Sequence, residues 1–372
     1  MSAGLYLHIP FCRSRCSYCD FATDVYKDGD TVERYVRAIC REIEAFGPAG
    51  VGADTIYFGG GTPSLLTPKQ VERILGSVQE KFAIDAGAEI TMEMNPATVS
   101  AESVAAYRSL GVNRASFGVQ TFNDTELKRL ARGHDANDAR NTFRLLRENG
   151  FDNVSFDLIA GLPRQTLSDW EANIDEAIGM RPEHLSLYLL EIHEGTPLAE
   201  QVRTGRQPKP DEELAAQMYE VLLDRLRNAG YVQYEISNFS LPGFWSRHNS
   251  KYWQMQPVYA FGVSAHSFDG AERYTNDRDT ASYVKKVEQE TTAEVFRETT
   301  DLASETAFLA LRTTDGLDLA KYFERFGVDV TTKFEDEICR VRDAGLVEIG
   351  GGRLRLTPKG MLYSNEVFRI FV

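Results

Sequence analysis

Short β-branched and aromatic segments alternate with longer amphipathic segments over about the first 230 residues of the chain. The amphipathic segments, such as TVERYVRAICREIEAFG, repeat apolar residues at helical spacing and end near glycine. This alternation predicts a parallel sheet covered by helices, and six strand–helix units favour a partial (β/α)6 TIM-like barrel over a closed barrel of eight. The predicted strands are GLYLHIP, DTIYFGG, AEITMEMN, NRASFGVQ, NVSFDLI and HLSLYLLEI.

The pattern changes twice after the predicted barrel. Residues 236–298 are rich in aromatic residues, glycine and proline and have little helical period, which is typical of a connecting segment that covers the barrel mouth. Residues 299–372 are helical and then contain LVEIGGGRLRLTPKG, which predicts a β-hairpin and a winged-helix-like domain. We therefore predict three domains, 1–235, 236–298 and 299–372.

Charge and composition narrow the classes of partner. The chain of 372 residues has 41 basic and 55 acidic residues and a net charge of -14, which argues against nucleic acid as a partner. The winged-helix-like region also lacks the excess of basic residues that DNA binding needs, because it has 12 acidic and 10 basic residues. No apolar run approaches the ~20 residues of a membrane span, and no targeting pattern stands at the start. We expect a cytoplasmic protein whose membrane contact, if any, is peripheral or through a partner.

Three of the five cysteines stand together in CRSRCSYCDF, as Cys12, Cys16 and Cys19. Cys40 and Cys339 lie on apolar helix faces and are expected to be buried thiols. A zinc site needs a fourth ligand, and a 4Fe–4S cluster held by three cysteines leaves one iron open. Zinc, three unrelated thiols and a cluster with an open iron are the alternatives at this point.

Polar residues and glycines recur where the predicted strands end. In a parallel barrel the loops at the carboxyl ends of the strands carry the chemistry. GGGTP follows the second strand, Glu93 ends the third, Gln120 ends the fourth and Asp157 lies on the fifth. A tight turn and a surface carboxylate are the structural alternatives for the glycines and for Glu93.

The cysteine spacing resembles the C-x3-C-x2-C signature of radical S-adenosylmethionine proteins. The resemblance implies that Cys12, Cys16 and Cys19 hold a 4Fe–4S cluster whose open iron is chelated by S-adenosylmethionine, with Tyr18 as the aromatic residue before the third cysteine. It also implies two further cofactor contacts: the glycine loop contacts the amino group through Gly60, Gly61 and Thr62, and the acid Glu93 contacts the ribose.

Nearly the whole chain resembles the family of oxygen-independent coproporphyrinogen III oxidases and the related heme chaperone HemW. YLHIPFC, GGGTP, SFGVQTFND, LARGH and DLIAGLPRQT occur in the order of that family. The resemblance implies that Tyr6 lies by the cofactor and that Gln120, Arg132 and Asp157 line the pocket where relatives bind a second S-adenosylmethionine. Hydrogen bonds or ion pairs at the barrel end are the alternative for these three residues.

Two departures separate the chain from the oxidases it resembles. Those proteins follow the third cysteine with glycine and a fourth cysteine, where this chain has Asp20 and Phe21, and they have a longer segment before the cluster than the 11 residues here. RHNSKYW matches the H-N-x-x-Y-W pattern of HemW-type proteins and implies His248 as a heme ligand, with Asn249, Tyr252 and Trp253 nearby. The alternatives are that His248 is a structural histidine bonded within a loop with the aromatic residues serving as core, that the motif shapes the cofactor pocket, or that His266 is the ligand.

The resemblance therefore predicts a heme chaperone-type radical protein. It would bind a 4Fe–4S cluster, S-adenosylmethionine and heme, receive electrons from a donor, and deliver heme to acceptor proteins. The alternative is an enzyme, a coproporphyrinogen dehydrogenase that decarboxylates a porphyrinogen by radical chemistry. A third possibility is a partial barrel that keeps a redox cluster without turnover.

Overall fold

The computed structural model describes residues 2–26 and 28–371. The first part of the chain alternates strands and helices, as the sequence predicts. Its elements are β1 (Ala3–Ile9), β2 (Phe11–Cys12), β3 (Asp24–Val25), α1 (Gly29–Ala45), β4 (Val51–Gly60), a 3-10 helix (Pro63–Leu65), α2 (Pro68–Lys81), β5 (Phe82–Met94), α3 (Ala101–Ser109), β6 (Arg114–Gln120), α4 (Asp124–Arg129), α5 (Ala136–Glu148), β7 (Val154–Ala160), α6 (Leu167–Met180) and β8 (His184–Leu189).

The second part contains shorter strands and then a helical region. Its elements are α7 (Pro197–Arg203), α8 (Glu212–Asn228), β9 (Val232–Gln233), β10 (Asn238–Ser240), α9 (Arg247–Trp253), β11 (Val258–Phe261), β12 (His266–Phe268), β13 (Glu272–Asn276), α10 (Thr280–Glu290), β14 (Glu294–Thr299), α11 (Leu302–Arg312), β15 (Leu317–Asp318), α12 (Leu319–Phe326), α13 (Val330–Lys333), α14 (Glu335–Asp343), β16 (Val347–Gly350), β17 (Arg353–Leu356), α15 (Pro358–Leu362) and α16 (Ser364–Phe368).

The six predicted strands form one parallel sheet in chain order, β1-β4-β5-β6-β7-β8. One face of β1 is fully buried, because Leu5, Leu7 and Ile9 alternate along the strand and are inaccessible, as expected for a face that helices cover. α1 packs its apolar stripe on the sheet because Val36, Ile39 and other residues at helical spacing face inward. The partial barrel is confirmed.

The segment predicted to cover the barrel mouth instead extends this sheet. β11 pairs parallel with β1, with Gly4 opposite Val258, and β12, β13 and β14 continue the sheet as antiparallel strands. The sequence pattern missed β11 because it has only four residues, between Pro257 and Gly262. The boundaries of the three domains stay a prediction.

The C-terminal region has the predicted winged-helix-like form. β16 and β17 make the expected hairpin, and β15 pairs with β17 to complete a small antiparallel sheet beside the helices. The region is tied to the barrel by an ion pair of 3.0 Å between Arg312 Nε and Glu235 Oε2. Across the described part of the chain, no helix is both long and apolar enough to cross a membrane.

Candidate functional site

A cavity of about 670 Å³ opens at the carboxyl ends of the parallel strands. The residues that the sequence singled out for the cluster and for S-adenosylmethionine come from five strands and their loops, yet all of them line this one cavity. They are Tyr6, Cys12, Cys16, Tyr18, Cys19, Gly60, Gly61, Thr62, Glu93, Gln120, Arg132 and Asp157. Parallel strands bring their carboxyl ends to one edge, so residues far apart in sequence meet there.

The cysteine loop runs from the end of β2 to β3 and is fixed by backbone hydrogen bonds. Ser17 N–H donates to Leu130 O at 2.9 Å, and Leu198 N–H donates to Ser17 O at 2.8 Å. Two of the thiols have polar neighbours, because Thr62 Oγ1 lies 3.6 Å from Cys12 Sγ and Arg132 Nη1 donates to Cys16 Sγ at 3.4 Å. The loop therefore holds its thiols at the cavity with a cation beside one of them.

The donor set fits a 4Fe–4S cluster. All three thiols are partly exposed to the cavity, and burial raises the pKa of the Cys12 thiol to about 11, so binding of iron must displace a proton there. In residues 2–26 and 28–371, no three His, Cys, Asp or Glu side chains converge as ligands of a single metal ion do. A cubane binds each thiolate through a different iron, so its ligands need not converge on one point.

The glycine loop at the end of β4 packs closely against the end of β1 and the residue after it. A Cβ on Gly61 would stand 2.7 Å from the backbone of Pro10, and one on Gly60 would stand 2.7 Å from the His8 ring. Gly60 also has a φ of 108°, which side chains disfavour. The glycines therefore let this loop pack against the end of β1, where Gly61 N–H donates to Ile9 O at 2.8 Å, directly before the cysteines.

Two carboxylates with raised pKa values lie in the cavity wall. Glu93 accepts hydrogen bonds from Tyr57 Oη at 2.7 Å and from Gly60 N–H at 3.1 Å. Burial raises the pKa of Glu93 to about 7, and the nearby Asp157 carboxylate adds to the effect. Burial likewise raises the pKa of Asp157 to about 6, although Ser186 and Ser116 hydrogen bonds oppose it. Buried acids with raised pKa values in a cavity are typical of binding and catalytic sites, which makes this wall a candidate site.

Gln120 and Arg132 form the wall beside these carboxylates. Gln120 has a φ of 67° at a register shift in β6, an unusual conformation for a residue other than glycine. A Cβ on Gly118 would stand 2.4 Å from the Gln120 amide, so only glycine leaves room for that amide. Arg132 Nη2 donates to Gly118 O at 2.7 Å and to Asn95 Oδ1 at 3.2 Å. The arginine thus connects the cysteine loop to this wall.

His248 lies behind the cavity, in a layer that we call the His248 layer and that consists of Tyr6, Thr55, Tyr57, His248 and Tyr252. The imidazole is 1% exposed; its Nδ1 shares a hydrogen bond of 2.9 Å with Thr55 Oγ1 and its Nε2 one of 3.3 Å with Tyr252 Oη. Burial lowers the pKa of His248 to about 3, so the ring is neutral. These contacts favour the alternative in which the motif supports the cofactor pocket.

The other residues of that motif do not line the cavity either, and neither does His266. His266 lies on β12 and shares a hydrogen bond of 3.0 Å with Thr275 Oγ1 at the protein surface. The Arg312 guanidinium packs over Trp253, with its central carbon 4.5 Å from the centroid of the Trp253 ring. Ligation of heme iron by His248 stays a prediction, and it requires one ring nitrogen to give up its hydrogen bond to Thr55 or Tyr252.

Several cavity residues were missed by the reading of the sequence. Tyr188 is the last residue but one of β8 and is 42% exposed, and His193 follows in the next loop. Their place near the end of the sixth predicted strand and directly after it was the available signal. Arg312 and Met361 reach the cavity from the C-terminal region, and no local pattern in the sequence indicates that approach.

Comparison with known proteins agrees with this arrangement. The Radical SAM superfamily matches residues 6–177, and the HemN C-terminal domain matches residues 298–363. The heme chaperone HemW of Lactococcus lactis is 34% identical over 99% of this chain and 96% of its own length. HemW of Bacillus subtilis is also 34% identical, over 99% and 98%.

A solved structure shows the same fold. Coproporphyrinogen III oxidase (HemN) from Escherichia coli, a radical SAM enzyme, superposes with a TM-score of 0.87 over 100% of this chain and 90% of its own, at 24% identity. The superfamily implies a 4Fe–4S cluster and S-adenosylmethionine as cofactors, which the cysteines in the cavity fit. Because it is 34% identical to two HemW proteins over nearly its whole length, the chain belongs to the HemW family of radical SAM proteins.

Proposed function

We propose that this protein is a heme chaperone that binds a 4Fe–4S cluster, S-adenosylmethionine and heme and delivers heme to acceptor proteins. The observation that carries the proposal is the convergence of three cysteines and the cofactor-binding residues in one cavity of a chain similar along its whole length to heme chaperones. We also propose that it acts in the cytoplasm and receives electrons from a donor protein.

In this proposal each wall of the cavity has its own task. Cys12, Cys16 and Cys19 hold the cluster and leave one iron for the amino and carboxylate groups of S-adenosylmethionine. When bound and reduced, the cluster supplies an electron for cleavage of the sulfonium. Thr62 and the glycine loop face the cofactor's amino group, and Glu93 accepts from its ribose; Tyr57 and Gly60 N–H orient that carboxylate.

The part of the cavity next to Glu93 is proposed to hold a second polar ligand. Gln120, Arg132 and Asp157 present an amide, a guanidinium and a carboxyl group to the same space. That set complements a ligand with both an ammonium and a carboxylate, as S-adenosylmethionine has. The alternative, in which these residues are hydrogen bonders or ion pairs at the barrel end, is supported for Arg132 by its contacts with Cys16, Asn95 and Gly118. Among the described residues Arg132 forms no ion pair with Asp157, which leaves its charge for a ligand.

A coproporphyrinogen dehydrogenase is the second candidate function. The fold shared with HemN and the full set of cofactor residues in the cavity favour it. The segment after the third cysteine opposes it, because Asp20 and Phe21 stand where the oxidases that this chain resembles have glycine and cysteine. Phe21 is 63% exposed at the rim of the cavity, a position open to an apolar ligand.

Heme binding and transfer test the chaperone function. The protein is reconstituted anaerobically, titrated with ferric heme by absorbance, and mixed with a heme-free b-type cytochrome domain while the Soret band of the acceptor is followed. We expect saturable binding and transfer faster than from free heme. A protein that binds no heme, or that binds it and never releases it to an acceptor, would contradict the proposal.

A further inference from the structure

The six histidines of the chain differ in their access to a ligand. His8, His184 and His248 each have both ring nitrogens in hydrogen bonds inside the protein. His134 is 6% exposed, and its Nε2 is directed to Val119 O at 3.3 Å. Among the residues that the structure describes, His193 is the only histidine in the wall of the cofactor cavity.

His193 stands between two carboxylates at the rim of the cavity. Its Nδ1 lies 3.6 Å from Asp20 Oδ2, and its Nε2 lies 3.7 Å from Glu191 Oε2. Its side chain is 43% exposed, whereas that of Glu191 is 73% exposed and free to move aside. A histidine that binds a metal almost always donates its other ring N–H to a carboxylate, a carbonyl or water, which fixes the ring and strengthens the ligand. Asp20 is placed to accept from Nδ1, which leaves Nε2 for a metal.

The surroundings of His193 suit a flat, apolar and anionic ligand. Phe21 and Tyr188 expose aromatic surface at the same rim, 63% and 42% respectively. Arg15 lines the cavity, and Arg278 Nη2 donates to Asp20 O at 3.0 Å, which brings a second guanidinium next to the loop. Over residues 2–26 and 28–371 neither arginine is in an ion pair, so both can receive a carboxylate from a ligand. A porphyrin with propionate groups has this combination of aromatic faces and carboxylates.

We propose that His193 is the axial ligand of the iron of a bound heme and that Asp20 orients it. The proposal rests on the proposed heme-binding function and assigns the ligand within it. In this assignment the residue that orients the heme ligand is the neighbour of a cluster cysteine, because Asp20 follows Cys19 directly. It also gives a role to the carboxylate that stands where the similar oxidases have glycine.

Spectroscopy of heme complexes tests the proposal. The unsubstituted protein, His193→Ala and Asp20→Asn are reconstituted with the cluster, titrated with ferric heme, and compared by Soret absorbance and by the EPR signal of the ferric iron. We expect His193→Ala to lose at least about tenfold in heme affinity and to lose the signature of nitrogen ligation. Added imidazole should restore that signature by occupying the vacated position. Asp20→Asn should keep the ligand and bind heme more weakly.

Matched variants separate the outcomes. His266→Ala removes the other exposed histidine, which does not line the cavity, and its spectrum should match that of the unsubstituted protein. Equal iron and sulfide contents in all variants would show that the fold is kept. If His193→Ala contains less iron and sulfide than the unsubstituted protein, His193→Gln is used in its place. An unchanged spectrum and affinity in His193→Ala would overturn the assignment while heme binding stands. No heme binding by the unsubstituted protein would defeat the proposed function itself.

Discussion

The cavity at the strand ends and the His248 layer behind it share β1 and β4 but are built differently. The cavity side presents partly exposed thiols, carboxyl groups of raised pKa and a histidine at the rim, all open to a ligand. The His248 layer pairs the polar atoms of its imidazole internally and leaves it 1% exposed. The comparison teaches that a histidine in a motif typical of a function can be buried, with both ring nitrogens hydrogen-bonded inside the protein, while the groups open to a ligand lie elsewhere.

The largest expected effect is on the cavity side. Replacing Cys12, Cys16 and Cys19 together by serine should abolish the iron and sulfide retained after anaerobic reconstitution, because no other thiol of the described chain lines the cavity. Iron and sulfide analysis, with the broad visible absorption of the cluster, measures this. The double replacement of Cys40 and Cys339 by serine is the control and should keep the cluster. Full retention in the triple variant would remove the cysteine loop as the cluster site.

The His248 layer should respond through stability. His248→Ala leaves a cavity and removes the partners of Thr55 Oγ1 and Tyr252 Oη, so we expect a loss of about 2–4 kcal/mol in the free energy of unfolding. His193→Ala, at an exposed position, should change stability by less than about 0.5 kcal/mol. Denaturant unfolding of the metal-free proteins measures both. Equal effects of the two substitutions would erase the distinction between the regions.

A glycine substitution tests how the two regions are joined. Gly61→Ala forces a Cβ against the Pro10 backbone, so the cysteine loop must shift, and we expect a stability loss of about 1–3 kcal/mol and a lower cluster content. Gly76→Ala, in helix α2 with nothing within 4 Å of the new Cβ, should be neutral or stabilising by up to about 1 kcal/mol. Thermal melting and iron analysis compare them. A Gly61→Ala protein with normal cluster content would show that the loop tolerates displacement.

The smallest expected effect concerns pH. Burial raises the pKa of two glutamates to about 7 from an ordinary value near 4.5. Glu93 lies in the cavity, and Glu42 is a buried residue of helix α1. The folded protein therefore binds protons more tightly than the unfolded chain, and the stabilisation present below pH 4.5 is lost as the pH rises toward 7.

Substitutions of the two glutamates separate the regions in this pH dependence. Glu42→Gln and Glu93→Gln should each flatten the fall in melting temperature between pH 4.5 and 7. Added S-adenosylmethionine should change the pH dependence of Glu42→Gln, which keeps Glu93, more than that of Glu93→Gln. An identical response of both variants to the cofactor would argue against a cofactor contact at Glu93.

The sequence predicted the parallel sheet and the membership of the cavity well, for physical reasons. Strand-length apolar runs and helical periods are local signals, and the parallel arrangement carries every strand end to one edge. Cys12 and Glu93 were found because they follow or nearly end such a strand, and Asp157 was found through the resemblance of DLIAGLPRQT to the family. The glycine loop was found as well, although its closest contacts are with Pro10 and His8 of the protein itself.

The sequence could not predict features that depend on distant contacts. β11 is too short to show a period, and its pairing with β1 joins residues about 250 positions apart. The place of His248 depends on Thr55 and Tyr252, which only the fold brings to its two nitrogens. His193 was overlooked because one histidine in a polar loop has no pattern, and its significance comes from Asp20 across the rim.

The central claim, that the cavity serves heme delivery, is tested most directly by offering the protein both possible ligands. The reconstituted protein is incubated anaerobically with S-adenosylmethionine, a reductant and either coproporphyrinogen III or heme, with porphyrin products followed by chromatography and heme by absorbance. We predict saturable heme binding and no protoporphyrinogen. Decarboxylated product formed with turnover would contradict the account and make the protein an oxidase.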